Sequence, residues 1–221
     1  MQNTNWVRFM ERLLVLALAA ALLVACTEPP QPTMNFYHAV HSADLDQIKR
    51  HLYWGTDVNQ AGPGGRHALG VAVADGGVVI ARELLDHGAR MDVRDRLGRT
   101  PLHLALAAGR VQVAELLLAR GAQDDLQALL GQLVAEGHLD RDTLALLASR
   151  GVDLNAPGAD GRAPLHQAVM NGQLKMTKWL LQEGADVNRV TDSGETALDL
   201  ARAADADPNV IRLLEQYGAE R

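Results

Sequence analysis

Cysteine is all but absent from this chain: Cys26 is the only one in 221 residues. A disulfide framework is therefore excluded, and so is a cysteine-built metal site. Aromatic residues are nearly as scarce, at 4%. A core must then be made of Leu, Ala and Val, which suits thin, closely stacked helices better than a sheet sandwich. There is no basic excess, since 21 Lys and Arg face 27 Asp and Glu for a net charge of −6. The footprint of a general nucleic-acid binder is missing. The unbroken apolar run at residues 13–25 has thirteen members, against about twenty for a bilayer-spanning helix. Catalytic signatures are missing too: there is no nucleophile elbow, no phosphate-cradling glycine loop and no His-Glu-x-x-His. Gly62-Pro63-Gly64-Gly65 falls in a turn rather than between a strand and a helix, so it is not a nucleotide loop. Neither an enzyme nor a cofactor is expected.

What the chain does have is 48% apolar residues arranged at helical spacing. Residues 96–122 show the unit most clearly. Thr100 is placed to cap a helix with its hydroxyl, and Pro101 follows at the first helical position, where its missing N–H costs nothing. Leu102, Ala105 and Leu106 recur at helical spacing until Gly109 stops the helix. A second helix carries Val113, Leu116 and Leu117 and ends at Gly121. Neither helix stands alone, so copies are required. Helix-ending glycines at 55, 88, 121, 151, 184 and 218 lie 33, 33, 30, 33 and 34 residues apart by subtraction.

A period near 33 with Thr100-Pro101-Leu102-His103 resembles the ankyrin-repeat family. Pro164-Leu165-His166 is the next best match, with degenerate versions at residues 67–70 and 196–199. The resemblance covers residue 34 to the C-terminus. It implies an all-α solenoid of about six stacked helix-turn-helix repeats with short β-hairpin fingers, following an N-terminal lipoprotein signal peptide. The expected repeats are 34–60, 61–93, 94–123, 124–155, 156–188 and 189–221. The first lacks the Thr-Pro opening, as a terminal repeat should. The tip of the second finger, Gly62 to Gly65, is expected to be loose.

The fourth repeat departs from the pattern. Seven residues separate Gly121 from Ala128, the position phased with Thr100, where twelve separate Gly88 from Thr100. A finger is thus short by five residues, and two return between the helices or in the second one. Asp124 and Asp125 are expected to open the helix directly, at the positive end of its dipole. A notch in the row of fingers should result.

The first segment carries a separate signal. Arg8 and Arg12 precede the apolar run, and Leu23-Val24-Ala25-Cys26 resembles the lipobox of bacterial lipoproteins. Cleavage would leave Cys26 as an acylated N-terminus, because only a thiol can take the diacylglycerol thioether. Residues 1–25 are then a signal peptide, 26–33 a proline-rich tether and 34–221 the repeat domain. The mature chain keeps 19 cations and 26 anions, a net charge of −7. Thr27, where the enteric inner-membrane signal would be Asp, resembles outer-membrane sorting to a leaflet facing the periplasm.

Eight histidines invite a metal reading. His103 and His166 hold the family position where an imidazole bridges backbone groups of adjacent repeats. His38 and His41 lie three apart without a third ligand, and His87 suits a helix C-terminus. His51, His67 and His138 have no readable partner. No metal site is assigned.

The resemblance places partner-binding positions at the finger tips and before the Gly109-type glycines. Here those are Arg94, Arg96, Leu97, Arg99, Ala107 and Ala108 in the third repeat, Arg66 and Asp75 in the second, Asp160, Arg162, Met170 and Asn171 in the fifth, and Asp192 and Glu195 in the sixth. A single protein partner of mixed charge is implied, with no nucleic acid and with membrane contact only through the N-terminal lipid. Bacterial proteins of this kind include immunity proteins that neutralise an effector toxin delivered to the periplasm. Others serve oxidative-stress defence, and an envelope scaffold or tether is a further role. The residues do not choose between them.

Overall fold

The computed structural model describes residues 28–220. The signal peptide, the lipobox and Cys26 lie outside them. Among the described residues are twelve α-helices in six pairs. They are α1 (Phe36–His41) and α2 (Leu45–Tyr53), α3 (Ala68–Ala74) and α4 (Val78–Asp86), and α5 (Pro101–Ala107) and α6 (Val111–Ala119). Next come α7 (Leu126–Glu136) and α8 (Arg141–Ser149), α9 (Pro164–Met170) and α10 (Leu174–Gln182), and α11 (Ala197–Ala203) and α12 (Pro208–Gln216). First helices pack on first helices and second on second, so the array is a solenoid whose repeats meet mainly their neighbours.

Local chemistry sets the helix limits. Thr100 accepts the His103 N–H and Thr196 the Asp199 N–H, while Asp44, Asp125 and Asp140 cap α2, α7 and α8 in the same way. The helix-ending glycines all have positive φ, for instance 86° at Gly121, a conformation that costs other residues roughly 1–2 kcal/mol. Four residues before those glycines stand Leu84, Leu117, Leu147, Leu180 and Leu214, all fully buried. This ladder is the spine of the core. In the first repeat His51 takes the rung, and its two nitrogens are satisfied by the Thr56 hydroxyl at 3.0 Å and the Met34 carbonyl at 2.6 Å.

The fingers are tight turns, and no strand forms among the described residues. In each complete finger one backbone N–H donates to the carbonyl four residues on, from Gly62 to Arg66, Asp95 to Arg99, Gly158 to Arg162 and Thr191 to Glu195. A second bond closes each tip, as from the Gly98 N–H to the Asp95 carbonyl. The second finger is therefore not loose: Pro63–Gly65 forms a 3-10 turn inside a closed hairpin. The first three members of the set repeat at 33 and 63 residues, and the gap of 63 is where the fourth finger is missing.

In the fourth repeat, α7 begins at Leu126, directly after its cap Asp125, and runs eleven residues against seven for α3, α5, α9 and α11. Of the two returned residues one extends the end of α7 and the other lengthens the connection, residues 137–140 against 108–110 in the third repeat, while α8 keeps the usual nine.

Candidate partner-binding cleft

The missing finger leaves a cleft of about 1310 Å³ between the third finger and α7. Its walls come from the third finger (Arg94, Leu97, Arg99), from Thr100 and His103 at the start of α5, from Asp124 and Asp125, and from the exposed face of α7 with Ala128, Gln132 and Glu136. Arg90, Met91, Asp92, Gln123 and His138 also line it.

One cross-link is missing along the wall of the cleft. Four residues after the helix-ending glycine, other repeats carry Asn59, Asn155 and Asn188. The Asn59 amide donates to the Gly88 carbonyl at 3.0 Å and accepts the Arg90 N–H at 2.8 Å, and Asn188 does the same to Gly218 and Glu220. In the second repeat the residue is Asp92. A carboxylate has no N–H to donate, and it forms a two-point ion pair with Arg90 at 2.9 and 2.8 Å instead. The hydrogen bonds from Arg90 hold the Asp92 carboxyl below its usual range.

The two Thr-Pro-Leu-His-type histidines differ for a related reason. His166 fits the expectation: Nδ1 accepts the Ala163 N–H at 3.0 Å and Nε2 donates to the Arg189 carbonyl of the next repeat at 2.8 Å. For His103 the finger that would supply such a carbonyl is absent. Its Nε2 donates at 3.2 Å to Oε2 of Glu136, which also accepts from His138 Nδ1 at 3.3 Å. Partial burial pushes the Glu136 carboxyl upward, but the two imidazole hydrogen bonds outweigh it and hold the group below its usual range. Glu136 is a side-chain substitute for a missing backbone acceptor. Asp124 is likewise diverted, because rather than opening α7 it accepts the Thr100 hydroxyl at 2.6 Å.

The third finger is less basic than its three arginines suggest. Asp95 accepts the Leu97 and Arg99 N–H groups at 2.9 Å each and pairs with the Arg99 guanidinium at 2.8 Å. Burial raises this carboxyl, yet those bonds bring it below the ordinary carboxylate value. Arg94 donates to the Gly98 carbonyl at 2.7 Å, and Arg96 lies back over Gly65 of the preceding finger. Leu97, 76% exposed, is left as an apolar tip beside the cleft.

Of the positions expected from sequence, Arg94, Leu97 and Arg99 line the cleft, while Arg96, Ala107 and Ala108 do not. Arg66 lies in the preceding finger, and Asp75 faces His41 at 3.7 Å. Asp160 pairs with Arg162 at 3.6 Å, Glu195 accepts from Ser193, and Asp192 donates its N–H to the Gly161 carbonyl of the neighbouring finger. Met170 and Asn171 are exposed at the end of α9. The structure therefore does not gather the fourteen positions into one site. Sequence reasoning missed Asp92, Asp124, Glu136 and His138. The break in the Asn59, Asn155, Asn188 series was the readable signal for the first of these. Among the described residues no three His, Cys, Asp or Glu are grouped to hold a metal ion. No described helix is long and apolar enough to cross a membrane.

A row of stacked helix pairs with projecting turns and an open groove defines a repeat-built binding scaffold. The family model of ankyrin repeats (three copies) matches residues 36–128 and 130–220, and the chain belongs to the ankyrin-repeat family. Ankyrin repeats bind protein partners, and the fold is in general a non-catalytic scaffold. The ankyrin-repeat domain of Bcl-3 is similar at 29% identity and a TM-score of 0.67, over 86% of this chain and 89% of that one. An ankyrin-repeat domain from Acinetobacter baumannii is 25% identical with a TM-score of 0.62, over 84% and 98%. A structure of a predatory endopeptidase from Bdellovibrio bacteriovorus in complex with an immunity protein contains a chain with a TM-score of 0.63, over 84% and 99%. At 22% identity that likeness shows the fold alone. Protein phosphatase 1 regulatory subunit 27 of Mus musculus is 36% identical over 75 residues, 34% of this chain. That match spans about half, 48%, of the relative's length.

Proposed function

We propose that this protein is a lipid-anchored, periplasm-facing ankyrin module that binds one protein partner through the cleft between its third and fourth repeats. The role we assign is immunity against an effector enzyme delivered to the periplasm. The observation that carries the binding reading is the cleft itself, opened by the loss of one finger in an otherwise regular row. At about 1310 Å³ it exceeds the roughly 300–1,000 Å³ of small-molecule pockets, and it suits a protruding loop. Such a loop would take the place of the missing finger, offering a backbone carbonyl to His103 and releasing Glu136. Leu97 would give its tip an apolar contact, and the Arg94 and Asp124 walls would favour a loop of mixed charge. Immunity is supported by the occurrence of this fold in a structure that pairs an endopeptidase with an immunity protein. The lipobox at Leu23-Val24-Ala25-Cys26 supports the location.

The test is capture from envelope extract on the Cys26-anchored protein, followed by a variant in which a finger is restored. Inserting the sequence of residues 158–162 after Gln123 fills the notch. One stoichiometric enzyme partner, inhibited on binding and lost on insertion, is the expected result. Retention of the partner by the insertion variant would reject the cleft as the site. Several weak partners would favour a scaffold, and peroxide sensitivity on deletion without a dedicated toxin would favour the stress role. Processing that ignores globomycin would reject the lipid anchor.

A further inference from the structure

The other notable surface feature lies at the opposite end of the array from the acidic sixth finger. Tyr53 and Trp54, at the end of α2, are 57% and 41% exposed and meet edge to face, with ring centroids 5.6 Å apart. The fold does not ask for aromatic groups there. The residue just before the helix-ending glycine is His87, Arg120, Arg150 and Glu183 in the next four repeats and a single Tyr217 in the last, so a pair of adjacent rings occurs at this position in the first repeat alone.

The chain N-terminal to the repeats runs to this pair. Thr33 donates its N–H to Gln47 Oε1 at 2.8 Å, the Met34 carbonyl accepts from His51 at 2.6 Å, and Trp54 Nε1 donates to the Pro29 carbonyl at 3.2 Å. Residues 29–34 are thereby held along α2, with Pro29 at the indole. Cys26 is three residues upstream, a reach of at most about 11 Å at 3.3–3.6 Å per residue. Charges near the pair on α2 are already matched, Arg50 with Asp46 at 2.6 Å and Lys49 with Glu83 at 3.9 Å. An acyl-bearing sulfur so close to the pair brings it to the headgroup layer, where Tyr and Trp rings gain from an apolar body and a polar edge.

We propose that Tyr53 and Trp54 form a phospholipid-contacting site that seats the first repeat on the bilayer surface and orients the solenoid. This rests on acylation of Cys26. Pro29 and Trp54 fix where the chain leaves the fold, and the aromatic pair meets the membrane at that point. The cleft, two repeats further along, stays clear of the surface for a partner.

The experiment uses the protein purified from the membranes of the producing cell as the Trp179→Phe variant. After loss of residues 1–25, Trp54 is then its one indole. It is reconstituted into phosphatidylethanolamine–phosphatidylglycerol vesicles with and without brominated acyl chains, and the mass of the Cys26 peptide is measured on the same sample. The expected result is an acylated Cys26, with Trp54 emission shifted to the blue and quenched by the brominated lipid. The same variant produced without residues 1–26, and so with neither the acyl chain nor Trp6, mixed with the same vesicles, should keep the unquenched emission of a water-exposed indole. If the acylated protein floats with the vesicles while Trp54 emission is unshifted and unquenched, the membrane-contact site is overturned and the anchor stands. If Cys26 carries no lipid, the anchor reading falls and this inference falls with it.

Discussion

Replacing His166 with Leu isolates the contribution of one buried imidazole to the coupling of two repeats. The side chain is 1% exposed and is bonded to the Ala163 N–H and the Arg189 carbonyl. Leu fills a similar volume, so the packing change is small. The main loss is at Ala163, 2% exposed, whose N–H is left without an acceptor at a cost of about 1–3 kcal/mol. Arg189 is exposed, and its carbonyl can turn to water. The expected destabilisation above neutral pH is about 2 kcal/mol, or roughly 4–8 °C in Tm for a domain of this size. The variant should also change the response to acid. Burial holds the His166 pKa below its ordinary value of about 6.5, and the pull of the Arg189 carbonyl and Asp160 the other way is too weak to offset it. As the pH falls through that value the unfolded chain takes up the proton first, so the stability contributed by the neutral imidazole is complete above about 6.5 and is lost as the pH drops toward the folded pKa. The Leu variant has no such proton to gain. The difference between the two proteins is therefore largest at mildly alkaline pH and narrows in acid. Urea unfolding followed by circular dichroism, at about pH 8 and pH 5.5 on either side of the free imidazole value, reads both quantities. A difference that stays constant or widens on acidification would refute the account of a neutral, bridging imidazole. His103→Leu supplies the comparison: its partner Glu136 is 35% exposed at the side chain and can be rehydrated, so the loss should stay below about 1 kcal/mol.

Three further outcomes are expected. Gly131 lies inside α7 with open space where an alanine methyl would sit, so Gly131→Ala should stabilise the protein by about 0.5–1 kcal/mol, whereas Gly121→Ala, equally unobstructed but at φ 86°, should cost about 1–2 kcal/mol; thermal melts of the pair check the opposite signs. Asp95→Ala removes the acceptor of two finger amides and the partner of Arg99, so exchange of the Leu97 and Arg99 amides should accelerate while α5 stays protected. In the unaltered protein the same amides should remain protected as the pH falls through the usual carboxylate range and open only below it, because the Asp95 pKa is depressed. Asp125→Ala removes the cap of α7 and should cost about 1 kcal/mol, measurable as a lower urea midpoint with an unchanged m-value.

How much of this was legible beforehand follows from the range over which each effect acts. The helix pairs were, because capping by Thr100, helix initiation at Pro101 and termination at Gly109 and Gly121 are local events within one turn of chain. The repeat was legible too, since a stripe such as Leu84, Leu117, Leu147 and Leu180 recurs at a period a single sequence displays. The shortened fourth finger could be counted from Gly121 to Ala128. Its consequences could not. That Glu136 turns back to His103, that Asp124 abandons α7 for the Thr100 hydroxyl, and that Asp95 occupies the charge of Arg99 are choices among competing partners. Those choices depend on which polar groups stacking brings within about 3 Å of one another. The sequence by itself determined a stack of helix pairs with one finger missing, because propensity, capping and period are properties of neighbouring residues. Only the tertiary structure decided which polar groups face that gap and pair across it. His103 and Thr100, left without the backbone of a fourth finger, found Glu136 and Asp124 instead, partners 33 and 24 residues away that only stacking brings near.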